Sequence, residues 1–106
     1  MKATPTPAFN DVVHSPVRLR ICGILRHVSE LEFSVVRDIL ELNDANLSKN
    51  LKILTEAEYV VVRKESSPRR TDARRLTWVA LTDQGRNALE GHLAALNHIA
   101  DGSPVD

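Results

Sequence analysis

Apolar positions along the chain keep helical spacing over its first half, change to strand spacing in the middle and return to helical spacing at the end. Val17, Ile21, Ile24, Leu25 and Val28 recur as one stripe, with Arg18, Arg20 and Arg26 largely off it. Ser15-Pro16 marks the start of that helix: serine can accept from free N–H groups of the first turn, and proline at the first helical position loses no hydrogen bond. Ahead of it, Phe9, Val12 and Val13 have the spacing of a short helix running to about His14. Glu30 to Phe33 alternates briefly and reads as an extended piece. Ser34 is then expected to cap a second helix over Val35–Leu42, with Val36, Ile39 and Leu40 facing inward. Asn43-Asp44 is a turn signal. A third helix over about Ala45–Thr55 places Leu47, Leu51 and Leu54 on its buried face.

After Tyr59 the period shortens. Val60-Val61-Val62 is β-branched and predicts a strand to Lys64, Ser66, Ser67 and Pro68 break it, and Leu76 to Leu81 reads as a second strand. The two form a hairpin with a long charged tip. Thr82-Asp83 caps a last helix through about Ala100, with Leu89, Leu93, Leu96 and Ile99 on one side, and Gly102-Ser103-Pro104 ends it. The expected architecture is mainly α with a small β-hairpin, in the order helix, helix, helix, hairpin, helix. It occupies residues 9–100 as one unit, between a flexible lead at 1–8 and a tail at 101–106. No internal repeat or linker divides it. A tight turn between the second and third helices is the helix-turn-helix arrangement.

Composition narrows the function. The 106 residues carry 14 Lys+Arg and 14 Asp+Glu, so the formal net charge is zero. The distribution is uneven. Residues 63–75 hold Arg63, Lys64, Arg69, Arg70, Arg74 and Arg75 against Glu65 and Asp72, while residues 76–106 are net acidic. A single cysteine, Cys22, excludes an internal disulfide and a cysteine-based zinc site. It reads as a buried small hydrophobe. No apolar run approaches the roughly 20 residues of a membrane span, and the N-terminus lacks a signal-peptide core. A cytoplasmic protein is expected.

Four segments carry a family resemblance. They are Ser15 to Ile21 opening the first helix, Asn46 to Leu54 in the third, Glu56 to Val60 entering the hairpin, and Leu81 to Arg86 opening the last helix. In this order and at these separations, the chain over about residues 9–100 resembles the winged helix-turn-helix DNA-binding regulators of the MarR and ArsR kind, especially the compact single-domain group. Two positions depart from the family pattern. Glu58 stands where the family usually has glycine, at a helix exit that suits a left-handed residue. Asn50 stands where the third helix often has histidine.

The residues support the same chemistry. With Leu47 at zero on a helical wheel, Leu51 and Leu54 lie within about 40°, at about 100° per residue. Ala45, Ser48, Lys49 and Lys52 fall opposite, with Asn46 and Asn50 at the flanks. Leucines to dock a helix and short polar or basic groups to enter a major groove are what a recognition helix needs. The same pattern also suits an ordinary solvated helix face. Arg69, Arg70, Arg74 and Arg75 on the hairpin tip, with Arg63 and Lys64 on the strand leading in, suit phosphates or a narrow minor groove. Arg63 and Lys64 suit pairing with acids equally well. The resemblance also places the start of the second helix near the duplex backbone, where amides after Ser34 could hold phosphate.

In the last helix, Leu89, His92, Leu96 and Ile99 are spaced three, four and three residues apart, a coiled-coil-like seam that Phe9, Val12 and Val13 could complete. The family resemblance implies pairing through terminal helices, and a homodimer would offer two recognition helices to an inverted repeat of double-stranded DNA. The competing reading is that these residues cover their own domain's core. No cofactor or metal is expected. Glu90, His92, His98 and Asp101 lack the ligand spacing of a metal sensor, and neither a phosphate-binding glycine loop nor a nucleophile motif points to an enzyme. The expected function is a sequence-specific DNA-binding transcriptional regulator, a homodimeric repressor, with a small-molecule effector left open. Alternatives are a winged-helix module that holds a protein partner, or a metal- or redox-responsive regulator of the same fold.

Overall fold

The computed structural model describes residues 5–66 and 75–102. Its elements are α1 (Pro16–Leu25), β1 (Leu31–Glu32), α2 (Phe33–Leu40), α3 (Asp44–Glu56), β2 (Val60–Ser66), β3 (Arg75–Leu81) and α4 (Asp83–Ala100). The strands form one antiparallel sheet in the order β1-β3-β2. The predicted hairpin is β2 and β3, in a register that pairs Val60 with Leu81, Val62 with Val79 and Lys64 with Thr77. The brief alternation before the second helix is β1, which pairs Leu31 with Val79 and Glu32 with Trp78.

Capping explains where α1, α3 and α4 begin. Ser15 Oγ accepts from Arg18 N at 3.4 Å, with Pro16 next in line. Asn43 Oδ1 accepts from Asn46 N at 2.7 Å, and Thr82 Oγ1 accepts from Gly85 N at 2.9 Å. The core lies between the helices and one face of the sheet. Ile21, Cys22 and Leu25 of α1 meet Val36 and Leu40 of α2, Leu47, Leu51 and Leu54 of α3, Val60, Val79 and Leu89.

Several expectations give way to local chemistry. Residues 11–13 form a turn rather than a short helix, because Asn10 Oδ1 accepts from Val13 N at 3.0 Å and draws the backbone into a tight bend. Helix α1 stops at Leu25, three residues short of Val28, and the amides of His27 and Val28 beyond it bond three residues back, to Ile24 O and Leu25 O. Ser34 is not a cap. The α2 N-cap is Glu32 and makes no side-chain cap bond, while Ser34 Oγ donates to Glu32 Oε1 at 3.0 Å from within the helix. Glu41 takes a left-handed conformation at φ 55°, ending α2 before Leu42. Ile39, expected inside, is 53% exposed. In an eight-residue helix whose buried positions are Val36 and Leu40, it falls outside the stripe.

The exit of α3 shows the cost of the Glu58 departure. Glu58 sits at φ 65°, its N–H donates to Thr55 O, and Tyr59 N–H returns to Leu54 O. Thr82 Oγ1 donates to Glu58 O at 2.7 Å, which locks the turn onto the start of α4. Gly85 faces the other side of this joint, where a methyl group would collide with the Tyr59 carbonyl. Glu58→Gly is therefore expected to raise stability by about 0.5–1 kcal/mol, the relief of a left-handed side chain less the added freedom of the unfolded chain. Gly85→Ala is expected to lower it by about 1–3 kcal/mol or more through overpacking. Urea denaturation of both variants checks the opposite signs.

Candidate nucleic-acid interface

Helix α3 divides into two faces. Leu47, Leu51 and Leu54 are buried, while Ala45, Asn46, Ser48, Lys49 and Lys52 are exposed. Its start is braced from α2, where Arg37 Nη1 donates to Asp44 Oδ1 at 2.8 Å and Nε to Asp38 Oδ1 at 3.0 Å. The hydrogen bond to Asp44, then that to Asp38, raises the guanidinium's pKa further. An exposed ion pair of this kind adds little stability. It does offset the acid at the start of α3.

Asn50 departs from its expected place. It is 6% exposed and belongs to the packed side of α3. Arg18 Nη1 of α1 donates to Asn50 Oδ1 at 3.0 Å, and Asn50 Nδ2 donates to Asn46 O at 2.9 Å and Asn46 Oδ1 at 2.8 Å. Arg18 Nε also donates to Val12 O at 2.6 Å, so one guanidinium joins the N-terminal segment, α1 and α3. The wheel held the signal: Asn50 lies about 40° from Leu54 at 100° per residue, closer to the leucines than to Lys49.

The sheet separates the two basic residues of the wing's first strand. Strand alternation puts Val60, Val62 and Lys64 on the face toward α3, and Val61, Arg63 and Glu65 on the outer face. Lys64 lines a cleft of about 490 Å³ together with Ser48 and Lys52 of α3, and Phe33, Leu51, Val62 and Thr77. Asp44 and Glu56 also line it. Arg63 is engaged elsewhere, ion-paired with Glu65 and with Glu30 at 3.1 Å, its guanidinium 6.0 Å from the Trp78 ring centre. It is thus an acid-paired residue of the outer face, apart from the cleft. Arg69, Arg70 and Arg74 lie outside the described residues, as does the side chain of Arg75. At the start of α2, the Glu32 carboxylate already supplies an anion beside Ser34, which disfavours a phosphate there.

The proposed pairing surface shrinks in the same way. Val13, Leu89 and His92 are fully buried within the one chain and belong to its interior rather than to a free seam. Val12 and Leu96 are half-buried, and Phe9 and Ile99 remain 43% and 51% exposed. The lead approaches this region, with Ala8 N donating to Gly91 O at 2.9 Å.

His92 organises a network that spacing did not reveal. Asn10 N donates to His92 Nδ1 at 3.0 Å, and His92 Nε2 faces His14 Nδ1 at 3.1 Å. The backbone donor requires an unprotonated Nδ1, so neutral His92 carries its proton on Nε2 and donates to His14. Phe9 packs on both rings, and Asn10 Nδ2 donates to Tyr59 OH at 2.8 Å. Burial first, and then His14, lowers the His92 pKa, while Asp11 acts against them. Burial also pushes the Cys22 thiol up to about 11, with Arg18 pulling it down. Among the described residues, no group of three or more His, Cys, Asp or Glu side chains is placed to hold a metal ion. No described helix is long and apolar enough to cross a membrane.

Two measurements follow. The unfolded chain binds a proton at His92 at higher pH than the folded chain does. The stability held by neutral His92 is thus full above about pH 6.5 and is lost as pH falls from there through its folded-state value. The urea midpoint is expected to drop as pH falls below about 6.5, and to drop less in His92→Gln, which does not titrate. Cys22 is expected to resist a thiol reagent at pH 8 in the folded protein and to react at once in denaturant. Rapid labelling of the folded chain would contradict its burial.

Comparison with known proteins agrees with this geometry. The profile of the winged helix DNA-binding domain family matches residues 17–100. An uncharacterized protein of Methanocaldococcus jannaschii is 29% identical over 82 residues, covering 77% of this chain and 85% of that protein. A solved transcriptional regulator homologue from Pyrococcus horikoshii OT3 superposes with a TM-score of 0.75 at 27% identity, over 86% of each chain. The YusO protein of Bacillus subtilis shares the fold at a TM-score of 0.68 and 20% identity, over 83% of this chain and 59% of that one.

Proposed function

Because the chain belongs to the winged helix DNA-binding domain family, we propose that it is a sequence-specific transcriptional regulator of double-stranded DNA, acting as a homodimeric repressor that blocks polymerase by occupancy. The observation that carries this reading is the exposed face of α3, where Asn46, Ser48, Lys49 and Lys52 stand over a leucine-packed inner side. Short polar and basic side chains on a rigid helix suit the major groove. Lys52 and Lys64 on the rim of the neighbouring cleft suit the phosphate backbone, and the wing arginines would extend that contact. The fold and family are those of regulators rather than enzymes.

Pairing of two copies rests on Phe9 and Ile99, with Val12 and Leu96 beside them, as exposed or half-exposed apolar groups on the N-terminal segment and α4. Two copies would place their α3 helices on half-sites about one duplex turn apart. The reading as a protein-holding module has its own support in Val35 and Ile39, which expose apolar surface on α2.

Selection from a random duplex pool, followed by anisotropy at two salt concentrations, tests the proposal. An enriched inverted repeat is expected, with affinity falling steeply as salt rises. Lys49→Ala and Arg70→Ala are expected to weaken binding evenly across sequences and to lower the salt slope by about one each. Ser48→Ala is expected to change preference at one base position. Unchanged affinity in all three at low salt would contradict the assignment. Ile99→Glu is expected to shift the mass in sedimentation from dimer toward monomer.

A further inference from the structure

Asn50 is buried among leucines, yet its amide is held at both ends by groups that leave no choice of orientation. Arg18 has only donors, so the Asn50 atom 3.0 Å from Arg18 Nη1 is the oxygen. The Asn46 carbonyl has only acceptor character, so the Asn50 atom 2.9 Å from it is the nitrogen. That nitrogen has a second hydrogen, directed at the Asn46 side chain 2.8 Å away, and the atom that receives it must be Oδ1. Asn46 is exposed near the start of α3, and its Nδ2 makes no hydrogen bond among the described residues.

We infer that Asn50 is a positioning residue that turns the Asn46 amide so that its NH₂ group faces the duplex, making Asn46 a reader of hydrogen-bond acceptors. The inference rests on the DNA-binding reading of α3. A free asparagine offers a donor and an acceptor together, the pair that matches adenine N6 and N7. Here Asn50 occupies Oδ1 from the protein side, and the group left outward is the donor. The edge that suits it carries acceptors: guanine O6 and N7 first, thymine O4 second. Cytosine, which offers N4 as a donor in the major groove, suits it least. Arg18 extends the device to the rest of the fold, because the guanidinium that fixes Asn50 also holds Val12 O.

The experiment is duplex selection with the full chain and three variants, with a thermal melt of each. Asn46→Ala is expected to erase preference at one position in each half-site. Asn50→Asp keeps an acceptor for Arg18 but has no donor for Asn46. The Asn46 amide then turns its NH₂ inward, and preference at that same position moves by about tenfold or more toward cytosine or adenine, the other positions holding. Asn46→Asp reaches the same outcome without touching the interior, since one oxygen accepts from Asn50 and the other faces outward. It gives the preference expected of an outward acceptor, against which a folded Asn50→Asp is compared; where Asn50→Asp does not fold, amide exchange decides. Hydrogen exchange of side-chain amides in the free wild-type chain gives an independent reading, with Asn50 Nδ2 expected slow and Asn46 Nδ2 fast. A wild-type position that Asn46→Ala erases but that a folded Asn50→Asp does not shift overturns the positioning role and leaves DNA reading intact. So does fast exchange at Asn50. A wild-type chain that enriches no sequence overturns the DNA reading, and this inference with it.

Discussion

The hydrogen bonds of Arg18 are the constraint that ties the inner side of α3 to the rest of the fold. Its guanidinium reaches Val12 O in one direction and Asn50 Oδ1 in the other, joining the N-terminal segment, α1 and α3. A buried asparagine amide is tolerable only when its donors and acceptor are matched, and Asn50 has partners on both sides. The leucines supply the apolar area that holds α3 down. The amide of Asn50 adds a directional link on that same side, between Arg18 and Asn46.

From this the division of labour follows. Helix α3 keeps Asn46, Ser48, Lys49 and Lys52 exposed because packing and bracing are handled on its inner side and at its start, where Arg37 takes up Asp44. The sheet does the same by alternation, sending Lys64 toward the cleft and Arg63 to the outer face among Glu30, Glu65 and Trp78. At the far end, His92 ties the N-terminal segment to α4 through Asn10, and Asn10 also reaches Tyr59 just after α3. The groups that would meet a partner are therefore placed by polar contacts a layer behind them.

Most of the fold was legible in the chain because it rests on local chemistry. The caps at Ser15 and Thr82, the leucine stripe of α3 and the change to strand spacing after Tyr59 each act over a few residues, and each leads to the element observed. What was not legible depends on contacts between distant segments. Ser34 looks like a cap but spends its hydroxyl on Glu32. Leu89 and His92 have the spacing of a seam, yet the N-terminal segment folds back and His92 meets Asn10, 82 residues earlier in the chain. The role of Asn50 depends on Arg18, 32 residues away on another helix. Arg63 and Lys64 differ only by strand parity, which the register decides. Glu58 is the opposite case: its departure from the family glycine marked a left-handed turn, and the backbone there takes φ 65°.

The most direct measurement is a structure of the protein on the duplex that it selects. The expected complex has α3 in the major groove, the Asn46 NH₂ on a base acceptor, Asn50 still between Arg18 and Asn46, and Lys52 and Lys64 close to phosphates. A complex in which α3 stays in solvent, or in which the duplex lies against another face of the domain, would contradict it.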